Sequence, residues 1–103
     1  TPLRDVASLL LSFDNAAAAA ARRARARGLP VRPLERWSDA ARAAALTAWE
    51  DGVRGSALRP DPDALRASLA EKQVSELLYA ARYLPEWLYA PLEVLKRRFT
   101  GAA

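Results

Sequence analysis

Apolar side chains recur along this chain at the α-helical interval, and no stretch keeps the alternating interval of a strand. With Leu3 as origin and about 100° per residue, Leu3, Val6, Leu10, Phe13, Ala17, Ala20, Ala21 and Ala24 share one face. Thr1 and Pro2 suit the cap and first position of a helix, and Gly28 suits its left-handed stop. The pattern therefore predicts a long, alanine-rich first helix over residues 2–27, roughly 39 Å long.

Three more helices follow from the same reading. Ser38, with Asp39 behind it, is a good cap for a second helix over residues 38–51, and a start as early as Pro33 also fits. Its stripe is Ala45, Leu46, Trp49 and Val53, with Ala41 and Ala48 alongside and Gly52 as the stop. Asp61 followed by Pro62 opens a third helix over residues 62–84, which Pro85 must end. Leu65, Leu69, Ala70, Val74, Leu77, Leu78, Ala81 and Leu84 spread over a broad arc of it. The last helix, residues 86–99, carries Leu88, Leu92, Leu95 and Phe99 on a narrow arc. Pro91 is expected to kink or restart it, and Gly101 to end it. The expected fold is all-α: one domain over residues 1–103, a small four-helix bundle with a proline-containing connector, "GLPVRPLER". The Pro30–Pro33 spacing matches a polyproline ligand, but a plain helix-to-helix link explains it better.

Composition narrows the chemistry. The 103 residues contain no cysteine, histidine or methionine, which removes disulfides, thiolate metal sites and the commonest general base. The Glu-x-x-His element of helix-bundle metal sites cannot occur, and the four glycines form no phosphate-cradling loop. The carboxylate pairs Glu50/Asp51 and Asp61/Asp63 lie at a helix end and a helix start, and helix-terminus physics accounts for Asp61 and Asp63. Lys72 and Glu76 have the spacing of an ordinary surface pair. No catalytic, cofactor or metal site is expected, and the chain is read as a non-enzyme. No stretch approaches the ~20 apolar residues of a membrane span, so a soluble, cytoplasmic protein is expected.

Two constellations remain. The net charge of +4 lies entirely in residues 1–36, which hold seven arginines against three carboxylates. Arg22, Arg23, Arg25 and Arg27 point to about 100°, 200°, 40° and 240° on the helix wheel. They surround the alanine face without forming a stripe, and with Arg32 and Arg36 they make a candidate basic patch. Cations at a helix C-terminus are favourable in their own right, and no aromatic residue is interleaved for base stacking. Phosphate contact to nucleic acid is accordingly the alternative reading. Arginine outnumbers lysine fourteen to two, a bias a GC-rich genome also produces.

The second constellation is "LLYAARYLPEWLYAPLE", with Tyr79, Tyr83, Trp87 and Tyr89 within eleven residues. Tyr79 and Tyr83 are one turn apart on the side of Lys72 and Glu76. Rigid aromatic bodies with polar tips concentrate energy at interfaces, so Tyr79, Tyr83, Trp87 and Glu76 form the candidate partner-binding surface. The competing reading is a packed helix corner whose tyrosine hydroxyls reach loop carbonyls. The "LKRRF" segment at Leu95 to Phe99 is weakly membrane-like, and membrane contact is not expected. The alanine face of the first helix is expected to oppose the tryptophans, or to pair with the same helix of a second copy. The leading expectation is a non-catalytic interaction module, an adaptor or accessory subunit that binds itself or a larger protein.

Overall fold

The computed structural model describes residues 2–56 and 61–99. All its regular elements are helices: α1 over Pro2–Ala26, α2 over Arg32–Val53, α3 over Pro62–Tyr83, a short 3-10 turn over Pro85–Trp87, and α4 over Tyr89–Arg98. α1 is the axis of the bundle, and α2, α3 and α4 each pack against it. α4 also packs on α3, whereas α2 has no close backbone approach to α3 or α4 among the described residues.

The ends of α1 follow local chemistry. Asp5 lies in the first turn and Arg23 and Arg25 in the last, each complementing the nearby pole of the helix dipole. Gly28 sits at φ 70°, and the amides of Gly28 and Leu29 close back on the carbonyls of Arg25 and Ala24 at 3.1 and 2.8 Å. That double closure is a Schellman cap, which needs the left-handed conformation glycine supplies.

α2 starts earlier than its best capping residue implies. Val31 precedes it without a side-chain cap, and Pro33 occupies the first turn, where its missing N–H goes unmissed. Ser38 is therefore interior and buried, with its hydroxyl donating to the Glu35 carbonyl at 3.0 Å. Pro33 being helical also rules out an extended Pro30–Pro33 ligand in this structure. Gly52 does not stop α2; the chain leaves after Val53, and Gly55 takes the positive φ of 81°. α3 begins as its sequence signal states. The Asp61 carboxylate accepts from the amides of Asp63 and Ala64, both at 3.1 Å. α4 is restarted by Pro91, not kinked, because this proline falls in the first turn of a new helix after the 3-10 turn. Gly101 lies outside the described residues.

The core lies on α1. Val6, Ala7 and Leu10 pack with Leu65 of α3, and Ala45, Leu46 and Trp49 of α2 and Leu69 of α3 close around them. Burying a leucine such as Leu10 contributes ~1.5–3 kcal/mol. The alanine face was expected to meet tryptophans or a second copy. Much of it is covered within the chain: Ala17 and Ala21 are buried beside Ala18 where Leu34 of α2 and Val94 of α4 approach, while Ala20 and Ala24 are half-buried. Trp37 is exposed, its ring edge-on to Phe13 at 5.9 Å, and Trp87 lies at the α3–α4 corner. Two arcs also differ from the wheel. On α4 the buried residues are Ala90, Pro91 and Val94, while Leu92 is exposed. On α3 only one side of the broad apolar arc is buried, and Val74 and Leu78 face away from the bundle.

Candidate functional site

The aromatic corner is built by Pro85. Lacking an N–H, it ends α3, and the amides of Leu84, Trp87 and Leu88 close the turn onto the carbonyls of Ala80, Leu84 and Pro85 at 2.9, 2.8 and 3.2 Å. The rings then form two pairs. Tyr79 and Tyr83 lie one turn apart with centroids 5.0 Å apart, and Trp87 meets Tyr89 edge-on at 5.6 Å. Arg82 lies over Tyr83 at 5.4 Å, and Arg22 lies over Tyr89 at 4.3 Å, a distance at which the ring's quadrupole attracts the cation.

Leu84 and Trp87 form a ridge between two open grooves. One groove is lined by Asn15, Lys72, Glu76, Tyr79, Leu84 and Trp87. The other is lined by Arg22, Arg23, Leu84, Glu86, Trp87 and Tyr89. Glu76, Tyr79 and Trp87 are thus brought to one groove, with the Tyr83 ring tilted against that of Tyr79 beside it. Both tyrosines are 59 % exposed, and neither hydroxyl has a hydrogen-bond partner among the described residues. The packed-corner alternative, which needs those hydroxyls seated on loop carbonyls, does not describe this site. Glu76 does not pair with Lys72 in the way the spacing implies; its carboxylate accepts from Asn15 Nδ2 at 2.8 Å. The other amide atom, Asn15 Oδ1, is buried at the groove without a partner.

The six arginines of the basic patch are not equivalent. Arg22 is committed to Tyr89, and Arg25 to Glu93 at 2.6 Å. The hydrogen bond and charge of Glu93 raise the Arg25 pKa. Arg23, Arg27, Arg32 and Arg36 are exposed and make no ion pair among the described residues. Arg32 and Arg36 line neither aromatic groove.

A polar cluster that the sequence reading missed ties three helices together. Asp14 of α1 has a side chain only 3 % exposed, and its carboxylate accepts from Arg42 of α2 and from Arg98 of α4, the latter at 2.8 Å. Arg98 and Arg97 also reach Asp39 of α2, at 2.8 and 2.9 Å, and Arg97 donates to the Ser38 hydroxyl and the Glu35 carbonyl, both at 2.9 Å. Partial desolvation pushes the Asp39 pKa up, but the Arg98 hydrogen bond and the charges of Arg97, Arg98 and Arg42 outweigh it. The carboxyl is held below its usual range. The signal was present in the sequence: on the wheel Asp14 lies at about 20°, inside the apolar face of α1, where a carboxylate needs a partner.

The carboxylate pairs show capping and surface contacts. Asp61 caps α3, and Asp63 and Asp51 each pair with an arginine three residues on. Among the described residues no group of three metal-ligating side chains converges, and no helix is long and apolar enough to cross a membrane. Comparison with protein-family models, with curated proteins and with solved structures gave no match.

Proposed function

We propose that this chain is a non-catalytic docking module that works as a soluble, cytoplasmic adaptor or accessory subunit. Its binding surface is the Leu84–Trp87 ridge, with Tyr79, Tyr83 and Glu76 on one side and Arg22 and Arg23 on the other. The observation that carries this reading is the exposure of Tyr79, Tyr83, Leu84 and Trp87 together at a corner fixed by proline. Rigid aromatic groups presented on fixed backbone give contact area at low entropic cost, which is the property of interface hot spots. Carboxylate and guanidinium groups flank the ridge, so a protein partner of mixed charge matches it better than a polyanion does. The alternative, nucleic-acid binding through the arginine end of α1, rests on the exposed Arg23, Arg27, Arg32 and Arg36.

Photo-cross-linking in the native cell tests the proposal. A photoreactive side chain at Tyr83 is expected to give a discrete adduct that Trp87→Ala abolishes, whereas one at exposed Thr47 of α2 gives none. No adduct at Tyr83, or the same adducts at Thr47, overturns it. Steeply salt-dependent binding to DNA or RNA, lost when Arg23 and Arg27 become Gln, favours the alternative.

A further inference from the structure

α3 carries a second apolar face that the bundle leaves uncovered. Its inward side holds Leu65, Leu69, Gln73 and Ala80, and the opposite side presents Ala67, Ala70, Val74, Leu77, Leu78 and Ala81. Val74 is 55 % and Leu78 66 % exposed. Ala67, Ala70, Val74, Leu77 and Ala81 follow one another at spacings of three, four, three and four, the repeat of a helix that pairs with another helix. This face lies across α3 from Tyr79 and Tyr83, so it is independent of the aromatic ridge and stands or falls apart from it.

We infer that this face pairs with α3 of a second copy of the chain, antiparallel. When α3 is laid antiparallel on itself about a two-fold axis between Ser75 and Glu76, the four central seam residues, Ala70, Val74, Leu77 and Ala81, meet one another. Ala70 faces Ala81 of the second copy, and Val74 faces Leu77 of the second copy. The small layers let the backbones approach to the ~8–10 Å of packed helices, and the central Val–Leu layers fill the space between them. The charges are self-complementary too. Glu71 and Arg82 flank the same edge of the seam, at about 240° and 260° from Leu65, so each lies within reach of the other's counterpart across the axis. Among the described residues Glu71 contacts Arg4 at 4.0 Å and Arg82 lies over Tyr83 at 5.4 Å, all four side chains being exposed, so that Glu71 and Arg82 can turn to the edge of the seam. A parallel pairing would instead place Asp63 against Asp63 of the second copy at the end of the seam. α3 holds three acidic and three basic residues, so it does not repel itself although the chain carries +4. That neutrality also offers no attraction to a charged partner.

A helix pair about 33 Å long buries less than the ~1,200 Å² of a standard interface, so association is weak. Sedimentation equilibrium from about 10 µM to about 1 mM is expected to show the mass rising from one chain towards two. Val74→Glu and Leu78→Glu, both at exposed positions, weaken it at least about tenfold with unchanged circular dichroism, and Trp87→Ala leaves it unaltered. Because the chain has no cysteine, orientation is read from Ala70→Cys and Ala81→Cys chains mixed and oxidised. The 70-to-81 disulfide is expected to dominate. A one-chain mass at every concentration, a dominant 70-to-70 disulfide, or a dimer that ignores Val74→Glu overturns the inference. A dimer lost in Trp87→Ala also overturns it, and does so while leaving the aromatic ridge a docking surface.

Discussion

Replacing Asp14 with asparagine removes one charge from the point where α1, α2 and α4 are tied together, with almost no change of shape. The Asp14 side chain is 3 % exposed, and those of its partners Arg42 and Arg98 are 20 % exposed. Removing one partner from a buried ion pair costs ~3–5 kcal/mol, because the other charge is left uncompensated. Two features reduce the cost here: the asparagine oxygen still accepts one hydrogen bond, and both guanidinium groups retain some water. An effect of about 2–3 kcal/mol follows. A domain of this size has only ~5–15 kcal/mol of stability, so the loss is a large fraction of the whole. With a urea dependence of ~1–1.5 kcal/mol per molar, the unfolding midpoint followed by circular dichroism falls by about 2 M. Asp39→Asn is the internal control. Its carboxylate shares Arg98 with Asp14 and also contacts Arg97, but is 54 % exposed, so screening holds its cost below ~1 kcal/mol. Equal midpoint shifts for the two variants, or an Asp14→Asn shift under ~0.3 M, would refute the view that burial gives this cluster its strength.

Asp61→Ala removes the acceptor for two orphan amides at the start of α3 and is expected to cost ~0.5–2 kcal/mol, measurable as a lowered urea midpoint. Gly28→Ala puts a Cβ on a residue at φ 70°; nothing crowds that Cβ, so the backbone penalty alone of ~1 kcal/mol is expected, again in the urea midpoint. The depressed pKa of Asp39 sets the sign of one pH effect. Its contribution is present above the unfolded carboxyl value of ~3.9 and is lost as pH falls through the lower folded value. Thermal melts between about pH 6 and pH 2.5 are therefore expected to show less acid destabilisation in Asp39→Asn than in the parent.

Which elements the sequence revealed, and which it concealed, follows from where the deciding forces act. Asp61–Pro62, Pro85 and Gly28 set helix boundaries through their own backbone chemistry, so those boundaries could be read directly. Ser38 misled because it is a strong cap that tertiary contacts use otherwise: Arg97, 59 residues away, donates to its hydroxyl. The apolar arcs of α3 and α4 mark greasy faces without stating which neighbour covers them, and for Val74, Leu78 and Leu92 none does. The aromatic corner was legible as a cluster because its members are close in sequence. The Asp14 cluster was not, since its arginines come from residues 28 and 84 positions further along. Only an acidic residue inside an apolar face announced it.

The most direct test of the docking surface uses the three tryptophans as probes. Trp37 on α2 is 49 % exposed and Trp87 on the ridge 36 %, while Trp49 packs against the core. In protein labelled with 5-fluorotryptophan, the Trp87 fluorine resonance is expected to shift or broaden selectively when the buffer is replaced by the interior of the native cell. The more exposed Trp37 should keep its position apart from the general broadening it shares with Trp49. A Trp87 resonance that behaves like the other two would contradict the assignment of the Leu84–Trp87 ridge as the binding surface.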